Sequence, residues 1–185
     1  KLKCTHDRVN HRMHLDLGFC DGTDIIFQLG VDDHSRKSHL DILDKKSETL
    51  EKWIELKQRL EKKHFPHKFA IVHTDGESVY DNKAWEDHCR DHGLEHEFSS
   101  RYRHDQNGVV ERRMQTIGTS FRCMMIQGSA PVTDAKDALY HANMLSNMAP
   151  TTANGGLSPN EKEAGVRLTV SDLPRPYCRA HYPHH

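Results

Sequence analysis

Three acids in this chain could do chemistry together: Asp16, Asp75 and Glu111. Thirty-five residues separate Asp75 from Glu111. Asp75 closes the apolar run Phe69-Ala70-Ile71-Val72-His73-Thr74. Glu111 opens a helical stretch just after Gln106-Asn107-Gly108, and Asp16 sits inside Met13-His14-Leu15-Asp16-Leu17. Two acids on separate strands and one on a helix can converge on a pair of divalent metals. Two such ions about 3.5–4 Å apart clamp the attacking and leaving oxygens of a phosphoryl transfer. Mg²⁺ or Mn²⁺ is the expected pair, because hard cations prefer carboxylate oxygen over His or Cys. Without cations the cluster is a poor structural choice: one carboxylate pair at 4 Å costs roughly 4 kcal/mol at an effective dielectric near 20. Taken singly, each acid has a plain alternative. Asp16 could be an exposed strand residue, Asp75 a turn residue before Gly76, and Glu111 a first-turn acid favoured by the helix dipole.

The surrounding pattern supplies the elements that must position them. Met13, Leu15, Leu17 and Phe19 alternate with His14, Asp16 and Gly18, which is strand period. Cys20 to Asp24 is a turn; Ile25, Phe27, Leu29 and Val31 alternate again, and Lys37 to Leu43 reads as a third strand. Three strands with short links predict an antiparallel meander. Ser47 is placed to cap a helix in which Leu50, Trp53, Ile54 and Leu60 recur at helical spacing, and Pro66 ends it. Lys68 to Thr74 reads as a buried parallel strand, reached by a crossover. Asp75 then falls at its carboxyl end, where open α/β sheets place their sites. Asp81 to His92 predicts a helix stopped by Gly93, and Leu94 to Phe98 a fifth strand. Ser99 to Gly108 is a polar loop. Val110, Met114, Ile117, Phe121 and Met124 form an apolar helical stripe. A last helix from Thr133 buries Ala135, Ala138, Leu139, Ala142 and Leu145. After Pro150 the chain reads as loop. The order is that of an α/β ribonuclease H-like fold, a five-stranded mixed sheet flanked by helices.

Bulk properties bound the reading. At 185 residues and 35% hydrophobic, one domain with a real core is expected. No apolar run approaches the ~18 residues of a membrane span. Five cysteines without a CxxC pair fit a reduced, intracellular protein. The polar start lacks both a secretory leader and Met, which suggests a fragment of something longer. The net charge of −1 gives no global basic footprint. It is unevenly spread: residues 76–97 carry seven acids and two bases, whereas 99–127 carry five arginines against two acids. Arg101, Arg103, Arg112 and Arg113 are expected to form a basic rim for DNA, with Gln106 and Asn107 beside the acids. The sixteen histidines do not make a zinc site at sequence level. His88 and His92 lack the Glu of a metalloprotease helix, and neither His64/His67 nor His6/His11/His14 has a partner Cys pair.

At these residues the chain resembles Copia-type retrotransposon integrase catalytic cores, within the retroviral integrase family. The matching stretches are His14-Leu15-Asp16, Asp32-Asp33-His34-Ser35-Arg36, His73-Thr74-Asp75-Gly76, Gln106-Asn107-Gly108-Val109-Val110-Glu111-Arg112 and Leu157-Ser158-Pro159-Asn160-Glu161. The closing Tyr177-Cys178-Arg179-Ala180-His181-Tyr182 also resembles the family, so the likeness runs from about residue 12 to 182. Three features depart from its pattern and mark a diverged copy: Asp75 meets Gly76 directly, His104-Asp105 precedes Gln106, and Gly18 is followed by Phe19. The resemblance implies that Asp16, Asp75 and Glu111 bind two Mg²⁺ or Mn²⁺ ions and process and join element-end DNA to target DNA. It also implies a homo-oligomer, a Pol polyprotein context, and action in the host nucleus with a cytoplasmic phase in virus-like particles. On this reading residues 1–11 are a linker after a missing zinc module, with Cys4 as its last trace. Residues 12–150 are the core and 151–185 a loop-rich extension. Two other readings remain open, a catalytically decayed DNA-binding or assembly module and a ribonuclease H-type nuclease.

Overall fold

Strand-period alternation at the start of the chain builds three strands, and their register fixes which side chains share a face. The computed structural model describes residues 8–20, 22–99 and 108–166. β1 (Arg12–Phe19), β2 (Ile26–Asp32) and β3 (Ser38–Leu43) form the expected antiparallel meander, with Asp16 opposite Leu29. Helix α1 (Thr49–Lys63) crosses over to β4 (Ile71–Thr74), which pairs with β1 in parallel. Helix α2 (Lys83–His92) leads to β5 (Glu95–Phe98), parallel to β4. The mixed sheet runs β3-β2-β1-β4-β5. Helices α3 (Gly108–Gln127), α4 (Ala135–Met148) and α5 (Pro159–Ala164) follow.

The core has two layers, one on each face of the sheet. Met13, Leu15 and Leu17 of β1 pack with Trp53, Leu56 and Leu60 of α1 and Trp85 of α2. On the other face Phe27, Leu29 and Val31 of β2 pack with Val110, Ile117 and Phe121 of α3 and with the small face of α4. Each fully buried large side chain contributes about 1.5–3 kcal/mol. Alternation then puts His14, Asp16 and Gly18 of β1 on the α3 side. A Cβ at Gly18 would overlap the Phe27 ring, so glycine lets that ring lie across β1 beside Asp16.

Several boundaries differ from the sequence expectation. Ser47 does not cap α1; it lies in a 3₁₀ turn, Lys46–Glu48, whose Glu48 carboxylate reaches back to accept from the Asp44 and Lys45 amides at 2.9 and 3.4 Å. β4 starts at Ile71 rather than Lys68, where pairing with β1 begins. Asn82 caps α2, accepting from the Ala84 and Trp85 amides, and Gly93 at φ 64° ends it. A 3₁₀ turn, Val132–Asp134, precedes α4. Leu145 is only half-buried; Ser146 and Asn147 are the buried residues of that last turn. α5 sits in the stretch expected to be loop. Ser158 accepts from the Glu161 amide, Glu161 returns to the Ser158 amide, and Pro159 takes the first helical position. That capping box was readable in Ser-Pro-Asn-Glu.

Candidate active site

Asp16 and Asp75 are brought together by strand register. Parallel pairing sets His14 beside His73; carried two residues further, the same register sets Asp16 beside Asp75, one residue past the end of β4. Both acids therefore follow a His-x-Asp pattern on neighbouring strands and share the sheet face covered by α3. Glu111 is exposed in the first turn of α3, where the helix dipole favours an acid.

Electrostatics ties the three acids into one neighbourhood. The Asp16 carboxylate accepts the Leu17 amide at 2.8 Å. Even so, burial, then the Asp75 carboxylate, and more weakly Glu111 and Glu77, push its pKa up to about 7. Asp75 is raised as well, by burial first; the Glu77 amide, 3.3 Å from its Oδ1, acts in the opposite sense, and the Glu77 carboxylate raises it. Beneath them Tyr80 is fully buried, and its hydroxyl has no hydrogen-bond partner among the described residues. Burial, then Asp16, Asp75 and Glu77, push that phenol well above its ordinary value. Among the described residues, then, several carboxylates act together on Asp16 and Tyr80. Among the described residues, however, no three His, Cys, Asp or Glu side chains are gathered closely enough to hold one metal ion. Mutual repulsion favours such a spread arrangement, and a divalent cation would oppose it. In donor chemistry the all-carboxylate set fits a hard cation.

A buried polar brace lies next to the acids on the same face. The His14 and His73 rings meet edge-on, 5.1 Å between centroids. His14 Nε2 is 3.2 Å from Asp33 Oδ1, to which Arg36 Nη1 also donates at 2.9 Å. Burial alone would raise Asp33, but the bond to His14 and the Arg36 charge outweigh it and hold Asp33 well below the usual carboxylate range. His73 contacts Ser99 Oγ at 2.9 Å through Nε2, and its Nδ1 faces the Arg12–Glu97 ion pair. Burial lowers the pKa of both rings. The Asp32-Asp33-His34-Ser35-Arg36 motif is therefore a structural turn: Asp32 accepts from the Asn10 and Ser35 amides and from the Ser35 hydroxyl.

The expected basic rim is changed in part. Arg112 is exposed next to Glu111. Arg113 turns inward instead, donating to the Arg36 carbonyl at 2.7 Å and the Ser146 carbonyl at 2.8 Å. Burial, then Arg36, lowers its pKa to about 10, so it stays a cation. Its place is a brace between α3, α4 and the β2–β3 turn. Arg101, Arg103, Gln106 and Asn107 lie outside the described residues. Sequence reasoning missed Glu77 and Tyr80; the repeated His-x-Asp was the available signal for the histidine pair. Beside Glu111 a cleft of about 580 Å³ runs past Phe19, Phe27, Gln115 and Arg122.

Comparison with known proteins gives the class first. The five-stranded ribonuclease H-like fold is that of retroviral integrase catalytic cores. The HTLV-2 integrase catalytic core domain in complex with magnesium superposes with a TM-score of 0.65 at 16% identity, covering 84% of this chain and 97% of that one. The BIV integrase catalytic core gives 0.63 at 18% identity, covering 84% and 95%. A chain of the simian T-cell lymphotropic virus intasome in complex with PP2A regulatory subunit B56 gamma gives 0.71 at 17% identity, covering 94% and 61%. The particular likeness is to a plant element: the chain is 26% identical over 150 residues to the Retrovirus-related Pol polyprotein from transposon TNT 1-94 of Nicotiana tabacum. That match covers 81% of this chain and 11% of the polyprotein, so the chain spans about a tenth of that relative's length. No protein-family model matches the chain. The resemblance read from the motifs to a retrotransposon integrase core therefore stands in both sequence and fold.

Proposed function

We propose that this chain is the catalytic core of a retrotransposon integrase, a metal-dependent polynucleotidyl transferase that processes element DNA ends and joins them to target DNA. The observation that carries the reading is the shared register of Asp16 and Asp75, with Glu111 adding to the same negative neighbourhood. Asp16, Asp75 and Glu111 would hold two Mg²⁺ or Mn²⁺ ions, which supply charge stabilisation on the phosphate and activation of the attacking oxygen. The magnesium complex of the HTLV-2 core supports that choice of cation.

The chain's own residues do the positioning. β1 and β4 are interior strands of the sheet, so Asp16 stands within a rigid strand and Asp75 directly follows one. The Leu17 amide fixes one oxygen of Asp16. The His14–His73 brace keeps the two strands in register beside the acids. Glu111, on the first turn of α3, would supply the third carboxylate, and exposed Arg112 would offer a cation to the backbone phosphate. In joining, the hydroxyl of an element end attacks a target phosphorus, its proton passes to water, and the target's 3′ oxygen leaves. Element-end and target DNA, further copies of the chain and the remaining Pol segments are the proposed partners, and the host nucleus the proposed place of action. Among the described residues no helix is long and apolar enough to cross a membrane.

The test is Mn²⁺-dependent nicking and joining of branched DNA by the chain and its Glu111→Gln variant. Loss of at least about 100-fold is expected, of the size seen when electrostatic stabilisation is removed, with melting unchanged. Full activity in Glu111→Gln would remove that residue from the site.

A further inference from the structure

The end of the sheet opposite the acids carries a second charged surface. It is built from the segment before β1 and the turn between α1 and β4. Lys62, Lys63 and Lys68 are exposed there, and Arg8 joins them through His67, its Nη1 lying 3.4 Å from Nδ1 of that ring. The Ala70 and Ile71 amides both donate to the His11 carbonyl at 3.0 Å, which fastens the two segments into one surface. The nearby acids are already engaged. Glu61 pairs with Lys57 at 3.1 Å and accepts the Phe69 amide, and Glu163 is held by Lys37, Lys63 and His64. Lys62 and Lys68 have no ion-pair partner among the described residues. Between Lys63 and Lys68 in the chain stands Phe65, 83% exposed, the most exposed large apolar side chain among the described residues.

An exposed aromatic ring flanked along the chain by exposed cations suits one kind of ligand particularly well. Cations bind backbone phosphate, and an exposed ring stacks on an unpaired base. A duplex offers the phosphates but keeps its bases stacked away, and a purely electrostatic surface has no use for the ring. We propose that Phe65, with Arg8, Lys62 and Lys68, binds single-stranded nucleic acid at a site separate from the acids. The four residues of β4, about 13 Å of strand, lie between this surface and Asp75. The site does not depend on the catalytic reading, since none of its residues belongs to the acid cluster.

Anisotropy of a fluorescent single-stranded oligonucleotide, and of a duplex of the same sequence, tests it with the 185-residue chain in a metal chelator. The single strand should bind more tightly. Phe65→Ala should weaken it roughly 5- to 100-fold and leave the duplex nearly unchanged, the range expected for loss of one stacked base. Lys62→Ala with Lys68→Ala should flatten the dependence of log affinity on log salt by about 1.4, at about 0.7 for each lost phosphate contact. Glu111→Gln should bind as the parent does. These side chains are exposed, so folding is expected to survive the changes, and a melting curve checks that. Equal single-strand affinity in Phe65→Ala would overturn the proposal. So would loss of binding on Glu111→Gln but not on the lysine changes, or retention on anionic lipid vesicles with no oligonucleotide binding.

Discussion

Two groups of charged residues use similar side chains to opposite ends. At Glu163 the carboxylate meets Lys37 at 2.6 Å, Lys63 at 2.8 Å and His64 at 3.0 Å. Burial alone would raise its pKa, but the hydrogen bonds from Lys37 and Lys63 outweigh it and lower it to about 2. At Asp16 burial and the neighbouring carboxylates raise the pKa to about 7. The first group ties α5 to the end of α1 and to the β2–β3 turn. In the second, the Asp75, Glu111 and Glu77 carboxylates all act to raise Asp16. A fold gains nothing from such repulsion, and that contrast with the knot at Glu163 is what the proposed cation site rests on.

The largest test of that difference is functional. Asp75→Asn should lower metal-dependent DNA joining at least about 100-fold without lowering the melting temperature, whereas Glu163→Gln should destabilise the chain and leave turnover per folded molecule unchanged. If both variants lose activity in proportion to stability, the two groups are not different in kind. For Glu163→Gln, a loss of roughly 1–3 kcal/mol is expected, since Lys63 is half-exposed and screened. Denaturant melts at neutral pH give that figure.

The two groups should also respond oppositely to pH. Glu163 is depressed in the folded state, so its contribution is present above its ordinary value near 4.5 and is lost as pH falls toward about 2. Asp16 is raised, so the folded state holds its proton more tightly; stability falls as pH rises from about 4 through 7. Asp16→Asn should flatten the upper window and raise stability at pH 8 by roughly 1–3 kcal/mol. A variant less stable than the parent at pH 8 would mean that Asp16 makes a net favourable contact. An effect of similar size is expected at Gly18: Ala there must displace Phe27, costing about 1–3 kcal/mol, which thermal melting measures.

Much of this was legible in the sequence because the sheet is regular. Period-two alternation located β1 and β2 nearly to the residue, and the carboxyl end of a buried strand marked Asp75. Less local features were not legible. Glu163 meets Lys37 and His64, whose distance along the chain hides the pairing. Arg113 and Arg112 are neighbours of one type, and only the packing of α4 and the β2–β3 turn decides that Arg113 is a brace while Arg112 is exposed. Tyr80 could not be read as a neighbour of the acids, because the turn after β4 has no periodicity. α5 was overlooked where Gly155 and Gly156 outweighed a capping box in the same stretch.

Calorimetric titration of Mn²⁺ into the chain near pH 7, beside Asp16→Asn and Glu163→Gln, tests the central claim most directly. If the acids form a cation site, the parent and Glu163→Gln bind saturably and release protons from the partly protonated Asp16, and Asp16→Asn loses both the binding and the proton release. Equal binding by the parent and Asp16→Asn, or no binding by either, would contradict it.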